Sequence, residues 1–187
     1  YEGEVTREYQ ITKRTVTLKS ADLSKPYDGT ALTNHTVTVD GDGFVAGEGA
    51  TYNFTGSQTK VGSSANAFSY TLNKGTKAEN YDITTQFGTL TVTAKSVTDG
   101  TGMNVDVPTD YQYDGAEHKW GPTVKDGENL LMKDTDYTVA YDKDDFTNVT
   151  GKITVTITGK GNYEGEVTRE YQITKRTVTL KSADLSK

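Results

Sequence analysis

YEGEVTREYQITKRTVTLKSADLSK, residues 1–25, returns letter for letter as residues 163–187. A strand needs only a pattern of apolar and polar positions and accepts many letters at each. Structural need therefore does not produce such identity, and the offset of 162 residues marks a repeat period. Tandem repetition has to be recognised before a fold is assigned. Within the stretch, residues 4–18 alternate in two phases: Tyr9 and Ile11 share one face, then Val16 and Leu18 follow a charged break at Lys13-Arg14. This reads as the closing strand of one domain, a short linker and the opening strand of the next. Residues 1–12 are thus expected to close a preceding repeat and 176–187 to open a following one, with small domains over 13–95 and 96–175 between them. Unpaired strands are sticky. The end segments are expected to be unstructured, to pair with each other, or to join end to end between otherwise monomeric molecules.

Working outward, short alternating runs are expected as strands at 37–39, 51–55, 67–72, 81–83 and 88–93, with Phe68, Tyr70 and Leu72 facing inward. Turn chemistry separates them: Pro26 with Asp28-Gly29, residues 40–43, the Gly56 to Gly62 interval, and a polar loop at 75–80. Helix signals are confined to a candidate turn at 20–24 or 130–133. The second half repeats the plan in diverged letters. Tyr27-Asp28-Gly29 matches Tyr113-Asp114-Gly115, Asn80-Tyr81 matches Asn162-Tyr163, and Leu90 and Val92 match Tyr171 and Ile173. Phe68, Tyr70 and Leu72 match Ile153, Val155 and Ile157 at an offset of 85. The expected fold class is all-β: two tandem small antiparallel β domains with little helix. Short alternating strands fit an immunoglobulin-like sandwich and a β-grasp-like sheet equally well.

The chain is polar, yet it carries 12 Tyr and 5 Phe beside many β-branched residues. Disordered segments lack these, so thin-cored folded domains are expected. Heavy use of threonine suits pleated sheets with one wet face. The net charge is −6, and no basic run exceeds the Lys13-Arg14 pair, which disfavours nucleic acid and anionic membrane surfaces as partners. Without cysteine there is neither a disulfide framework nor a thiolate metal site. No apolar run is long enough for membrane insertion by this segment.

Residues 27–33 (YDGTALT), 43–47 (GFVAG) and 80–92, with 136–141 (DYTVAY) and 155–165 (VTITGKGNYEG) in the second half, resemble the MBG-type tandem repeats of Gram-positive bacterial surface adhesins. The resemblance covers most of the chain. It implies an extracellular protein, anchored to the cell wall, with many such modules in series. Neighbouring repeats of the same chain would be the first partners, and host mucin or glycan the second. The expected function is a structural stalk or spacer that projects a distal binding domain; the alternative is an adhesive module for mucin, glycan or host protein.

Few residues offer chemistry. His35 and His118 are the only histidines, and no Gly-x-Ser-x-Gly elbow accompanies them. No nucleophile, base or cofactor set emerges, so an enzyme is not expected. Asp142, Asp144 and Asp145 form the best candidate cation loop, since calcium takes several hard oxygens from one flexible loop; solvated turns are the plainer reading. Trp120 is the sole tryptophan, with Tyr111 and Tyr113 nearby. Exposed aromatic faces stack on the apolar faces of sugars, so these three are the candidate carbohydrate-binding residues. A core tryptophan plugging a strand end is the plainer account of Trp120.

Overall fold

The computed structural model describes residues 2–98 and 102–181. The chain forms two compact units, Tyr1–Thr93 and Ala94–Lys187. Among the described residues it is all-β, with one helical turn at Ala78–Asn80. That turn lies in the stretch expected to be a polar loop, whereas residues 20–24 and 130–133 contribute to strands and not to helical turns.

The first unit holds β1 (Arg14–Ser20), β2 (Leu23–Pro26), β3 (Val37–Gly41), β4 (Ala50–Phe54), β5 (Gly62–Ala65), β6 (Phe68–Leu72), β7 (Tyr81–Gln86) and β8 (Thr89–Thr93). They make three small sheets, ordered β3-β1-β7, β2-β8-β5 and β4-β6. Three of these strand pairs are single extended runs interrupted once: β1 and β2 at 21–22, β5 and β6 at 66–67, β7 and β8 at 87–88. The interruptions meet around two buried polar side chains. Ser20 Oγ donates to the Asn66 carbonyl at 2.7 Å and accepts from the Gly88 N–H at 3.0 Å, while Asn66 Nδ2 donates to the Ala21 carbonyl at 3.0 Å. A side chain at Gly88 would put its Cβ 2.6 Å from the Ser20 carbonyl oxygen. Each long run thereby changes sheet at one level, and the core divides with it. Val16, Leu18, Phe68 and Tyr81 form one buried cluster; Leu32, Leu90 and Val92 form another.

The second unit holds β9 (Lys95–Ser96), β10 (Met103–Val105), β11 (Tyr111–Gln112), β12 (Val124–Asp126), β13 (Asn129–Leu130), β14 (Tyr137–Tyr141), β15 (Lys152–Gly159), β16 (Tyr163–Glu164) and β17 (Glu166–Thr174). Its sheets are ordered β10-β12-β13, β11-β17-β15-β14 and β16-β9. On β15, Ile153, Val155 and Ile157 alternate inward with no exposed area, and Tyr171 and Ile173 of β17 bury beside them.

Most ladders are antiparallel, but in both units the opening strands run parallel to the closing ones. In the first, Arg14 pairs with Tyr81 and Pro26 with Thr93. In the second, Lys95 pairs with Tyr163 and Gln112 with Thr174. These registers superimpose Tyr81 on Tyr163, Val92 on Ile173 and Tyr27 on Tyr113; the Tyr27 and Tyr113 N–H groups donate to Thr93 and Thr174 at 2.8 and 2.9 Å. One match shifts. Ser64 pairs with Leu90, and Ile153 with Tyr171; Ile153 therefore stands where Ser64 does and not where Phe68 does. Of the three residues expected inward on β6, Phe68 is buried and Leu72 half-buried, but Tyr70 is exposed, because the buried cluster takes in Phe68 and does not extend to Tyr70. Residues 2–13 and 175–181 carry no strand, so pairing of the two ends with each other does not occur among the described residues.

Candidate functional site

The residues around Trp120 lie in the second unit, on the connection from β11 to β12. The backbone of residues 118–122 is held from below by three tyrosine hydroxyls. Tyr171 OH donates to the His118 carbonyl at 2.9 Å and lies 3.3 Å from the Trp120 N–H; Tyr141 OH donates to the Trp120 carbonyl at 2.7 Å; Tyr137 OH donates to the Pro122 carbonyl at 3.2 Å. Burial raises the pKa of all three phenols, so each remains a protonated donor at neutral pH. The His118 N–H closes the loop onto the Phe146 carbonyl at 2.8 Å, and Lys119 Nζ sits 4.8 Å from the ring centres of Tyr141 and Phe146.

This packing occupies much of the aromatic surface that a sugar would need. Tyr111 is half-buried, with one face stacked on His118 at 4.5 Å and its ring edge-on to Tyr171 at 5.8 Å. Trp120 is half-buried, and Tyr113 is exposed. Tyr111 on β11 and Tyr113 and Trp120 on the connection that follows it thus do not present three open ring faces. Among them, Tyr111 belongs to the packing of the unit.

The histidines divide. His35 is exposed and stacks on Phe54 at 4.9 Å. His118 Nε2 contacts Asp114 Oδ1 at 2.8 Å, while Asp114 also accepts from the Ala116 N–H at 2.9 Å. A histidine–carboxylate pair can orient a base, but a face of this imidazole is covered by Tyr111, and among the described residues no hydroxyl or thiol nucleophile pairs with it. The geometry serves the turn.

Asp142, Asp144 and Asp145 do not converge. No cluster of three or more metal-ligating side chains occurs among the described residues. Asp142 Oδ1 accepts from the Thr154 N–H at 2.7 Å, tying the end of β14 to β15. Asp145 accepts from the Thr147 and Asn148 N–H groups and from Asn148 Nδ2, all near 3.0 Å. Asp142 Oδ1 and Asp145 Oδ1 are committed to backbone donors and Asp145 Oδ2 to Asn148 Nδ2, which is the chemistry of solvated turns. In the first unit, a cleft of about 370 Å³ is lined by Arg14, Glu48, Glu79, Tyr81 and neighbours. There Tyr81 OH donates to Glu48 and accepts from the Val45 N–H at 3.1 Å.

Sequence reasoning missed two polar centres: the Ser20–Asn66–Gly88 knot and the tyrosine clamp under residues 118–122. Asn66 gave no signal, since an asparagine between two alanines reads as a turn. Tyr137, Tyr141 and Tyr171 stand in alternating letters, but nothing in those letters points to the carbonyls their hydroxyls reach. Among the described residues, no helix is long and apolar enough to cross a membrane. Comparison with protein-family models, curated proteins and solved structures finds no match.

Proposed function

We propose that this chain is a run of structural repeats from the stalk of a large bacterial surface adhesin, serving to hold a distal domain away from the cell wall. The observation that carries this reading is the parallel pairing of opening and closing strands in each unit. When first and last strands run parallel, the chain enters a unit at one end and leaves at the other. An antiparallel first–last pair would return it to the end where it entered. A unit of the parallel kind adds its own length to an array, about 40 Å for thirteen extended residues at about 3.3 Å each. The linker letters are short and charged, and in an array built on the 162-residue offset reach becomes a function of copy number. The resemblance to MBG-type repeats supports the same reading and an extracellular, wall-anchored setting. The committed oxygens of the acidic loops and the packed face of Tyr111 favour a spacer over an adhesive module or an enzyme.

Small-angle X-ray scattering on chains of one, two and three periods tests this. A spacer predicts a maximum dimension rising linearly, by roughly 80 Å per period. A dimension that grows far more slowly, as for units collapsing on one another, would overturn it. Saturable binding of the 187-residue chain to mucin or a glycan panel, lost in Trp120→Ala with the fold intact, would instead establish the adhesive reading.

A further inference from the structure

The two units share one first–last arrangement but build it with ladders of different length. In the first unit, residues 14–19 of β1 lie parallel to residues 81–86 of β7, and β2 lies parallel to residues 90–93 of β8. The opening run is thus laddered to the closing run along most of its length. In the second unit the same contact shrinks to its two extremes: β9 against β16, and β11 against residues 173–174. Between them the opening segment turns aside, and β10 pairs with β12, which is not a closing strand. The long β17 is held chiefly by β15, while β9 and β16 form a two-stranded sheet of their own. Burial differs in the same direction. Val16 and Leu18 of β1 are buried, whereas Lys95 and Ser96 of β9 are half-buried. Side chains do not make up the difference. Lys95 contacts Asp126, but Arg14, which holds the equivalent place in β1, donates from Nε to the Gly43 carbonyl at 3.0 Å, and the Thr15 N–H donates to Asp42 at 2.9 Å.

This geometry decides how each unit answers tension. A pull along the chain drags the opening strand toward the entry end and the closing strand toward the exit end. Where the two are parallel and paired they must slide past one another, and every ladder bond between them takes load at once. One such bond is worth only about 1 kcal/mol net, so resistance grows with the number strained together. Forced unfolding follows the height of the unfolding barrier and not the equilibrium stability. We propose that the chain bears tension as two elements in series: the first unit is a shear clamp that holds, and the second is a weaker link that yields first, at β9. The proposal rests on the spacer reading for the source of the load, which is the pull between an anchored end and a distal domain. An array of such pairs lengthens at moderate tension by opening second units, while the first units keep their folds.

Single-molecule pulling of the full 187-residue chain, by handles at its two ends, tests this. The units span equal lengths of chain, residues 14–93 and 95–174, so the length released does not tell them apart. Two marked chains do. One carries an insert of about 20 Gly and Ser residues after Gly75, in the first unit, and the other the same insert after Gly127, in the second. Both glycines are exposed, with nothing within 4 Å of a Cβ placed there. Each insert should lengthen the unfolding step of its own unit by about 70 Å. The expected record has two steps, the first at roughly half the force of the second because its ladders share the load over fewer bonds. The Gly127 insert should lengthen the low-force step and the Gly75 insert the high-force step. Steps of equal force, or the reverse assignment in either marked chain, overturn the proposal. Because scattering tests the spacer reading without load, a maximum dimension that rises linearly beside steps of equal force would remove this proposal alone.

Discussion

Asp28 and Asp114 perform one task in the two units with different helpers. Each follows the tyrosine that pairs with the end of the closing strand, and each precedes a glycine with positive φ, 79° at Gly29 and 86° at Gly115. The carboxylate folds back onto an N–H two residues ahead, Thr30 in one unit and Ala116 in the other. Lys25, then the Thr30 N–H and hydroxyl, pull the Asp28 carboxyl down to about 2. The Ala116 N–H and His118 lower Asp114, Thr15 lowers Asp42, and Asn148 with Thr147 lowers Asp145. Because these folded-state values lie below the unfolded value near 3.8, their contribution is present above about pH 4 and is lost as the pH falls through the folded values. Thermal melts should therefore be flat from pH 7 to about 4.5 and drop in midpoint between about 4 and 2. In Asp28→Asn that acid drop should be shallower. A midpoint indifferent to acid would contradict the assignment. The Tyr-Asp-Gly turn was legible in the letters, since aspartate and glycine there have a local geometry of their own. The partners Lys25 and His118 were not, because nothing local selects them.

At the scale of the element, the decisive feature is the shared break in the three long strand runs of the first unit. A continuous run keeps its alternation in one sheet; a break at one level lets the same run pack on one cluster before it and another after it. The break depends on backbones approaching more closely than a Cβ allows. At Gly88 the nearest atoms are the carbonyls of Ser20 and Ala21, which are backbone and have no rotamer to change. Gly88→Ala should cost about 1–3 kcal/mol by forcing these strands apart, read as a lower urea midpoint. Gly3→Ala, with nothing within 4 Å, should leave the midpoint in place. An unaffected Gly88→Ala would mean that the approach is looser than described. β2 and β5 escaped the sequence reading for the same tertiary reason. Leu-Ser-Lys-Pro and Gly-Ser-Ser-Ala have no alternation, and both become strands because β8 lies between them and supplies the ladder, with Ser63 and Thr91 hydroxyls 3.0 Å apart across it.

Across the whole molecule, one 25-residue sequence has two structures. The part that forms β17 in the second copy carries no strand in the first, and the part that forms β1 in the first carries none at 176–181 in the second. Local propensity is identical in the two places, so the difference belongs entirely to what lies alongside: β15 and β11 for one half, β3 and β7 for the other. Amide exchange followed by NMR should show it directly. Amides of residues 168–173 should exchange at least a hundredfold more slowly than those of residues 6–11, in spite of identical letters, since the first set lies in a paired central strand. Comparable rates would contradict the pairing of β17 between β15 and β11.

The sequence by itself determined the all-β class, the turns at Tyr-Asp-Gly and the inward faces of β15 and β17, because each follows from local geometry or from two-residue alternation. The parallel pairing of first and last strands, the exposure of Tyr70, the knot at Asn66 and the tyrosine clamp beneath Trp120 were decided only in three dimensions. These rest on contacts between residues far apart in the chain, such as Tyr171 with His118 and Ser20 with Gly88. Alternation along a strand says which face is buried, but it carries no record of which neighbour covers it or in which direction that neighbour runs.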